Sequence, residues 1–203
     1  MQLIYVHGLD SGPESIKGEM LEDYCRKYHP HITVQRPDLN CEPDTVIKIL
    51  LNLIEQDPQT GLVGSSLGGF FTHAIVAKTG KPAVMINPSI RPYESLRRFT
   101  GDRENVPKDE VIYTTSGGWG IRPRDIDALL KYKQDQPQHP DRQLVLLKTA
   151  DEVLNYREAL EFYTQPGFEA SVLVEPGGDH FMHDLPTKIP LIVKFLFELH
   201  PPK

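Results

Sequence analysis

The pentapeptide Gly64-Ser65-Ser66-Leu67-Gly68 directly follows an apolar pair and fits the pattern G-x-S-x-G. This pattern is typical of a sharp strand-to-helix turn that holds a serine hydroxyl exposed at its apex. The backbone crowds itself at such a turn, so the two flanking glycines must lack side chains. Ser66 would act as a nucleophile, and the backbone N–H of Leu67 would stabilise negative charge on the attacked group. An ordinary Gly/Ser loop is the alternative interpretation.

A serine nucleophile needs an adjacent base, and the base needs a third group that orients it. Around this kind of turn the chain order is serine, then an acid, then histidine. We predict that Asp151 is the acid, because it comes just after an apolar segment that ends near Lys148. Helix capping is its alternative role, and Glu152 is the nearest rival acid.

His180 is the predicted base, because it follows a Gly-rich stretch, residues 176–179, from which it could reach across the ends of the strands. His183 is the competing base. Together with Asp179 and Asp184 it also raises the alternative of a metal site, since His and carboxylate side chains bind zinc or iron. That cluster has no recognised ligand signature, so we do not expect a metal.

A second backbone donor for the oxyanion is expected in the loop after the first strand. The sequence there is Val6-His7-Gly8-Leu9. Gly8 would let the backbone approach a reacting carbonyl, so the N–H of Leu9 is the candidate partner of the N–H of Leu67. A plain turn would use the same residues.

The rest of the chain predicts strands that alternate with helices. The predicted strands are Gln2–Val6, Ile32–Arg36, Gly61–Ser65, Ala83–Ile86, Gln143–Lys148 and Ala170–Val174. The predicted helices are Ser15–Lys27, Pro43–Glu55, Leu67–Thr79, Arg124–Gln134, Asn155–Gln165 and Lys188–His200. This alternation indicates an α/β fold, with a mostly parallel six-stranded sheet and helices on both faces. If the strand order is the common 2-1-3-4-5-6, the first and third strands are neighbours at the point where ligands bind.

One stretch, residues 87–142, interrupts this alternation between the fourth and fifth strands. Long loops in compact domains are usually lids or binding loops, so we expect a small insertion that shapes a substrate pocket, with an extra short strand near Val111–Thr115. Candidate pocket residues are Gly8, Arg91 and Trp119, with Tyr93 and Phe99 as further apolar walls. Core packing is the alternative role for each aromatic side chain.

Length and composition narrow the class of protein. The 203 residues fit a single domain, 1–203, and the net charge of −6 offers no basic surface for nucleic acid or anionic lipid. Two cysteines are too few for a disulfide framework. No run approaches the ~20 apolar residues that span a membrane, and no secretory leader is evident. A cytoplasmic location and no membrane partner are expected, while the oligomeric state stays open.

Five segments, in order along the whole chain, resemble the YqiA-like family of small bacterial esterases within the α/β-hydrolase superfamily. They are residues 4–15 (IYVHGLDSGPES), 63–70 (VGSSLGGF), 86–92 (INPSIRP), 151–157 (DEVLNYR) and 177–180 (GGDH). The resemblance implies an α/β-hydrolase fold, a triad of Ser66, Asp151 and His180, esterase activity and no cofactor. The sequence departs from the family most at residues 101–143 and 181–183.

Taken together, these features predict a serine esterase that acts on a small-molecule ester through an acyl-enzyme. Two alternatives stay open. An acyl-CoA thioesterase would use the same triad and could hold the nucleotide phosphates with arginines of the insertion, although an ordinary solvated arginine face has the same composition. Those arginines are Arg91, Arg97, Arg98, Arg122 and Arg124. A binding module that has kept only the pocket is the other alternative, and it would have no need of the acid and base.

Overall fold

Short parallel strands alternate with helices along the computed structural model, which describes residues 1–103 and 105–200. Residue 104, in the predicted insertion, and residues 201–203, at the end of the predicted domain, lie outside the described residues. The strands are β1 (Gln2–Val6), β2 (Thr33–Gln35), β3 (Thr60–Ser65), β4 (Ala83–Ile86), β5 (Tyr113–Thr114), β6 (Gly120–Ile121), β7 (Gln143–Lys148) and β8 (Ser171–Glu175). The α-helices are α1 (Ile16–Tyr28), α2 (Pro43–Gln56), α3 (Leu67–Thr79), α4 (Pro92–Ser95), α5 (Pro123–Leu129), α6 (Tyr156–Tyr163) and α7 (Ile189–Lys194).

Six of the strands form one sheet in the order β2-β1-β3-β4-β7-β8, and every neighbouring pair is parallel. The four central strands are buried along their whole length. A parallel sheet of this kind must be covered on both faces, which is why these strands are almost continuously apolar. The prediction of an α/β fold with a six-stranded sheet is confirmed, and the six strands, counted along the chain, follow the common order 2-1-3-4-5-6.

Two apolar cores lie on opposite faces of the sheet. Ile4 packs with α2 and α3 on one face, whereas its neighbours Leu3 and Tyr5 pack with α1 and α7 on the other. Successive side chains of a strand point to opposite faces, so each central strand contributes to both cores. The two cores hold the carboxyl ends of β1, β3, β4 and β7 in one row. Within residues 1–103 and 105–200, no helix is both long and apolar enough to cross a bilayer.

The observed elements differ from the predicted ones mainly at their ends. Strand β2 is two residues shorter than predicted, and β8 begins one residue later, in register with β7 from Leu144↔Ser171 to Lys148↔Glu175. The helix predicted to end at Gln134 stops at Leu129 and continues as a 3₁₀ turn, and the C-terminal helix changes to a π-helix at Phe195. End geometry of this kind depends on neighbouring elements rather than on the local sequence.

The insertion lies between β4 and β7 and contains α4, α5 and the two-stranded hairpin β5–β6. Its hairpin is attached to the loop after β1 by the Asp10 carboxylate, which accepts hydrogen bonds from the Tyr113 hydroxyl at 2.6 Å and from the Ser116 N–H at 3.0 Å. Asn40 bridges the same two segments, donating to the Ser11 carbonyl and accepting from the Thr115 hydroxyl. The insertion therefore covers the carboxyl ends of the strands.

A network of two buried lysines and two carboxylates lies at the carboxyl ends of β7 and β8. The Lys148 ammonium, with 6% of its side chain exposed, contacts Glu175 at 2.8 Å and Asp184 at 2.6 Å. Lys188 contacts the same two carboxylates at 2.9 and 2.8 Å. Paired lysines lower the pKa of Asp184 to about 2 despite the opposing effect of burial. This network ties β7 and β8 to the segment that leads from His180 into α7.

We expect Asp184→Asn to reduce the free energy of unfolding by about 1–2 kcal/mol, a value discounted because the Asp184 carboxylate is partly exposed. The pKa of Asp184 is lowered on folding, so its contribution is present above its ordinary value near 3.8 and is lost as the pH falls toward 2. Thermal melts should show a Tm deficit that is constant from pH 7 to about pH 5 and shrinks below pH 4. Asp141→Asn, at an exposed carboxylate, is the control; an equal deficit in that variant would contradict the assignment.

Candidate active site

Ser66 occupies the turn between β3 and α3 and has the backbone angles φ 56° and ψ −122°. A non-glycine residue at positive φ is strained, and such strain persists only where the surroundings hold it. Here the Ser66 N–H donates to the Ile86 carbonyl at 3.1 Å, and the Ser66 carbonyl accepts from Gly69 N–H at 2.9 Å and Ser89 N–H at 3.0 Å. The turn is thus held from β4 on one side and from α3 on the other.

The glycines on each side of Ser66 have no room for a side chain. A Cβ atom at Gly64 would overlap the Thr72 side chain, and one at Gly68 would overlap the carbonyl oxygen of Val6. The start of α3 is therefore pressed against the end of β1. This close approach is the physical reason for the G-x-S-x-G spacing in this chain.

His180 and Asp151 form a hydrogen-bonded pair. His180 Nδ1 lies 2.7 Å from Asp151 Oδ2, with 17% and 2% of the two side chains exposed. The second oxygen, Asp151 Oδ1, accepts from the N–H groups of Val153 and Leu154, both at 2.8 Å. Asp151 is therefore both the partner of the imidazole and the acceptor that caps the following turn. With Nδ1 directed at the carboxylate, Nε2 is the nitrogen left to exchange a proton.

The neighbouring acid, Glu152, has a different contact. Its Oε2 accepts from the backbone N–H of His180 at 3.0 Å, so it holds the main chain of that residue rather than its ring. Asn87 holds the same segment from the other side. Its side-chain amide donates to the carbonyls of Asp179 and His180, both at 3.1 Å, and its oxygen accepts from Lys148 N–H at 3.0 Å. Asn87 itself has φ 42°.

Gly8 brings the loop after β1 against the serine turn. A Cβ atom at Gly8 would lie 3.0 Å from Ser66 Cβ and 3.1 Å from the Ser65 carbonyl oxygen, tighter than ordinary contact. The buried His7 ring fixes this loop: Nε2 accepts from Leu39 N–H at 3.0 Å, so Nδ1 carries the proton that it donates to the Gly8 carbonyl at 2.9 Å. Burial lowers the pKa of His7, which favours this neutral form.

This contact bears on the direction of the Leu9 N–H. The Gly8 carbonyl and the Leu9 N–H belong to one planar trans peptide unit, in which they point in opposite directions. By holding the carbonyl, His7 also fixes the direction of the Leu9 N–H. Leu9 and Leu67 line a common small cavity together with Gly8 and Trp119.

Two larger cavities meet at Ser66 and His180. One has a volume of about 660 Å³ and is lined by the first loop and the start of α1. The other, of about 210 Å³, is lined by leucine, valine and proline side chains and also by Asp10, Arg98 and several serines. Within the described residues, no hydrogen bond joins the Ser66 hydroxyl to His180. Catalytic hydrogen bonds are commonly long without a substrate and tighten when one binds.

The predicted pocket residues and the competing histidine lie in different places relative to the serine turn, and not all of them line its cavities. Trp119 is buried and lines the small cavity beside Leu9 and Leu67. Arg91 is half-exposed at the start of α4, pairs with Glu94 at 3.7 Å and does not line the two cavities that meet at Ser66. His183 is largely exposed and contacts Asp179 at 2.6 Å. Because Asp184 instead faces Lys148 and Lys188, the suspected metal ligands have separate partners.

Three residues near the site were not predicted as functional from the sequence. Asn87 and His7 lay within recognised segments, and an asparagine at a strand end or a histidine before glycine is a usable signal. Lys17 lines the large cavity from the first turn of α1. Its helical position resembles that of any surface lysine, so no sequence signal identified it.

Comparison with solved structures shows the α/β-hydrolase fold. Est1E from Butyrivibrio proteoclasticus is 16% identical and superposes with a TM-score of 0.74, covering 97% of this chain and 87% of its own. The esterase domain of a Rhodothermus marinus protein is 14% identical and superposes with a TM-score of 0.66, covering 94% of this chain and 83% of its own. NosK from Streptomyces actuosus is 22% identical and superposes with a TM-score of 0.60, covering 98% of each chain. At these identities the likeness concerns the fold alone.

A family model provides a closer relationship. Residues 2–197 match the model described as "Uncharacterised protein family (UPF0227)", which is the YqiA-like family. The match runs from β1 into the C-terminal π-helix and therefore includes the serine turn, the Asp151–His180 pair and the insertion. The chain belongs to the uncharacterised protein family UPF0227, as its sequence motifs had predicted.

Proposed function

We propose that this protein is a serine hydrolase that cleaves small carboxylic esters through an acyl-enzyme. The observation that carries the proposal is the Asp151–His180 hydrogen bond of 2.7 Å in a cavity shared with the strained Ser66. A serine at the apex of a turn, a histidine beside it and a buried carboxylate behind the histidine are the groups that this chemistry needs. The esterases among proteins of similar fold agree with this assignment.

In the first half of the reaction, Ser66 Oγ attacks the ester carbonyl while His180 Nε2 takes its proton. The tetrahedral intermediate then collapses, the bond to the alcohol oxygen breaks, and His180 gives its proton to the leaving alcohol. Water repeats these steps on the acyl-enzyme and releases the acid. Asp151 orients the imidazole throughout and stabilises its charged form.

Negative charge on the carbonyl oxygen would be stabilised by the N–H groups of Leu67 and Leu9. The Leu67 donor lies at the start of α3, where the helix dipole also favours negative charge. The Leu9 donor depends on the His7–Gly8 hydrogen bond described above. Both donors are backbone groups, so their positions are fixed before the substrate binds, which is what makes such donors effective.

An acyl-CoA thioesterase remains the second candidate, since the same triad would serve it. The insertion gives it little support, because most of the suspected phosphate-binding arginines already have partners. Arg97 contacts Asp127 at 2.9 Å, and Arg124 contacts Asp109. Of the five arginines, Arg98 alone lines either of the two cavities that meet at Ser66. A binding module would have no use for the ordered Asp151–His180 pair.

A substrate panel tests this function. We expect the purified protein to hydrolyse p-nitrophenyl esters of short acyl chains, with kcat/KM higher than for acyl-CoA thioesters of the same chain length. Rates should be proportional to enzyme concentration and disappear after treatment with a fluorophosphonate. Preference for the acyl-CoA series would favour the thioesterase. Failure to hydrolyse either series, together with failure to react with the fluorophosphonate, would support the binding module.

A further inference from the structure

Lys17 lies in the wall of the large cavity that contains Ser66 and His180. It belongs to the first turn of α1, whose N-terminus is capped by the Ser15 hydroxyl through a hydrogen bond from Gly18 N–H at 3.2 Å. Only 8% of the residue is exposed. A lysine this deeply buried is unusual unless its ammonium group has a partner.

The Lys17 ammonium has no hydrogen bond or ion pair with the part of the chain that the structure describes. Its close contact is with the face of the Phe181 ring, 4.1 Å from the centroid. A cation–π contact of this kind leaves the three N–H donors of the ammonium group available. Burial lowers the pKa of Lys17 to about 8, and the more distant Asp179 carboxylate only partly offsets this effect.

The carboxylates in the cavity lining keep their negative charge, but most of them accept hydrogen bonds from groups other than Lys17. Besides Tyr5, the other ionisable residues in its lining are Asp10, Glu14, Asp38, Glu152 and His180. Asp10 accepts from Tyr113 and Ser116, and Asp38 accepts from the backbone and side chain of Asn40. Glu152 accepts from His180 N–H, and Glu14 lies exposed at the rim. Lys17 is thus a cationic donor in the same cavity lining as Ser66, and no direct contact with a carboxylate of the described residues neutralises its charge.

The first turn of α1 is a second feature beside Lys17 that favours negative charge. The early N–H groups of a helix lack partners within the helix and favour negative charge. Residues 15–17 all line the cavity. An anion placed against Lys17 would therefore meet both an ammonium group and the positive end of a 13-residue helix.

We propose that Lys17 binds a carboxylate carried by the ester substrate, so that the natural substrates are esters with an anionic group in either their acid or their alcohol part. This inference rests on the proposed esterase function. The remaining part of the substrate would occupy the smaller cavity of about 210 Å³, against the apolar side chains of Leu67, Pro92 and Leu154, in a lining that also contains Asp10 and Arg98. Attack by Ser66 would occur where the two cavities meet.

The test compares two pairs of esters that differ mainly in charge. p-Nitrophenyl hemiglutarate against p-nitrophenyl pentanoate places the carboxylate in the acid part. 4-Carboxyphenyl butyrate against 4-carbamoylphenyl butyrate places it in the alcohol part. We expect the wild type to prefer the anionic ester in at least one pair, and Lys17→Met to reduce that preference, measured as a ratio of kcat/KM values, by about 10- to 100-fold.

Lys17→Met keeps the apolar stem of the side chain, and Lys27→Met is the matched control. Lys27 lies in the last turn of the same helix and is exposed, so its substitution should leave the ratio unchanged. The wild-type preference should also decrease as the pH rises above about 8, where the Lys17 ammonium loses its proton.

Three results would overturn the inference. The first is a wild type that hydrolyses the neutral esters without any preference for an anionic partner. The second is a preference that survives in Lys17→Met. The third is an equal loss on both members of each pair in Lys17→Met, which would show a packing role. In all three the proposed esterase function would stand, whereas inactivity of the wild type on every ester would reject the function and the inference together.

Discussion

Replacement of Ser66 by alanine should lower kcat for ester hydrolysis by about 10⁶, the loss seen when the nucleophile of a comparable triad is removed. The expected reason is chemical, because alanine has no oxygen to form the acyl-enzyme. The fold should be retained, since both residues bear a Cβ and experience the same strain at φ 56°. Initial rates on a p-nitrophenyl ester and thermal melts of both proteins measure the two effects.

Ser65→Ala is the matched control for this prediction. Ser65 is the last residue of β3 and is 3% exposed, whereas Ser66 is partly exposed at the turn. The substitution removes one hydroxyl from the same pentapeptide and should cost at most about tenfold in kcat, through packing around the turn. If Ser65→Ala were inactive while Ser66→Ala kept its rate, the nucleophile would be wrongly assigned.

Replacement of His180 by alanine should have the next largest effect, a loss of about 10⁴–10⁶ in kcat. Its ring is paired with a carboxylate that is 2% exposed, which is the arrangement of a base held in one orientation. Measurement of kcat and KM separately should place most of the loss in kcat.

His183→Ala tests the competing base and the metal alternative together. The His183 side chain is 76% exposed and contacts only one of the suspected carboxylate ligands, Asp179. We expect this variant to keep its activity within a few-fold, and EDTA to leave both it and the wild type unchanged. Activity that is lost in EDTA and restored by zinc would instead support a metal centre.

The elements that carry the candidate site were predictable because their signals are local. The G-x-S-x-G pattern is itself local, and one of its steric contacts, Gly64 against Thr72, is close in sequence. Asp151 and His180 each follow a strand of a parallel sheet, and the carboxyl ends of such strands lie at one edge. The strand order then brings residues distant in sequence to within 2.7 Å of each other.

The folding of the insertion was not predictable in the same way. Its hairpin is positioned by Asp10, which contacts Tyr113 and Ser116 more than one hundred residues away. Nothing in the local sequence indicates that pairing. The strand expected at Val111–Thr115 is reduced to Tyr113–Thr114, which pairs with Gly120–Ile121.

The roles of buried polar side chains also depended on tertiary contacts. The tautomer of His7 is set by the hydrogen bond that it accepts from the Leu39 N–H. The proposed role of Lys17 depends on its place in the cavity wall and on the lack, among the residues that the structure describes, of a carboxylate in direct contact with its ammonium group. Periodicity places Lys17 on a helix but gives no information about the loop that covers it. Phe181, which contacts its ammonium, lies in the segment between His180 and α7.

Ser66 should form a covalent intermediate with the help of His180. The most direct measurement is incubation of the wild type, Ser66→Ala and His180→Ala with a small fluorophosphonate, followed by mass spectrometry of the intact proteins and their peptides. We predict one adduct per wild-type chain on the peptide that contains Ser66, none in Ser66→Ala, and much slower labelling in His180→Ala. An unlabelled wild type, or an adduct on another residue, would contradict the account.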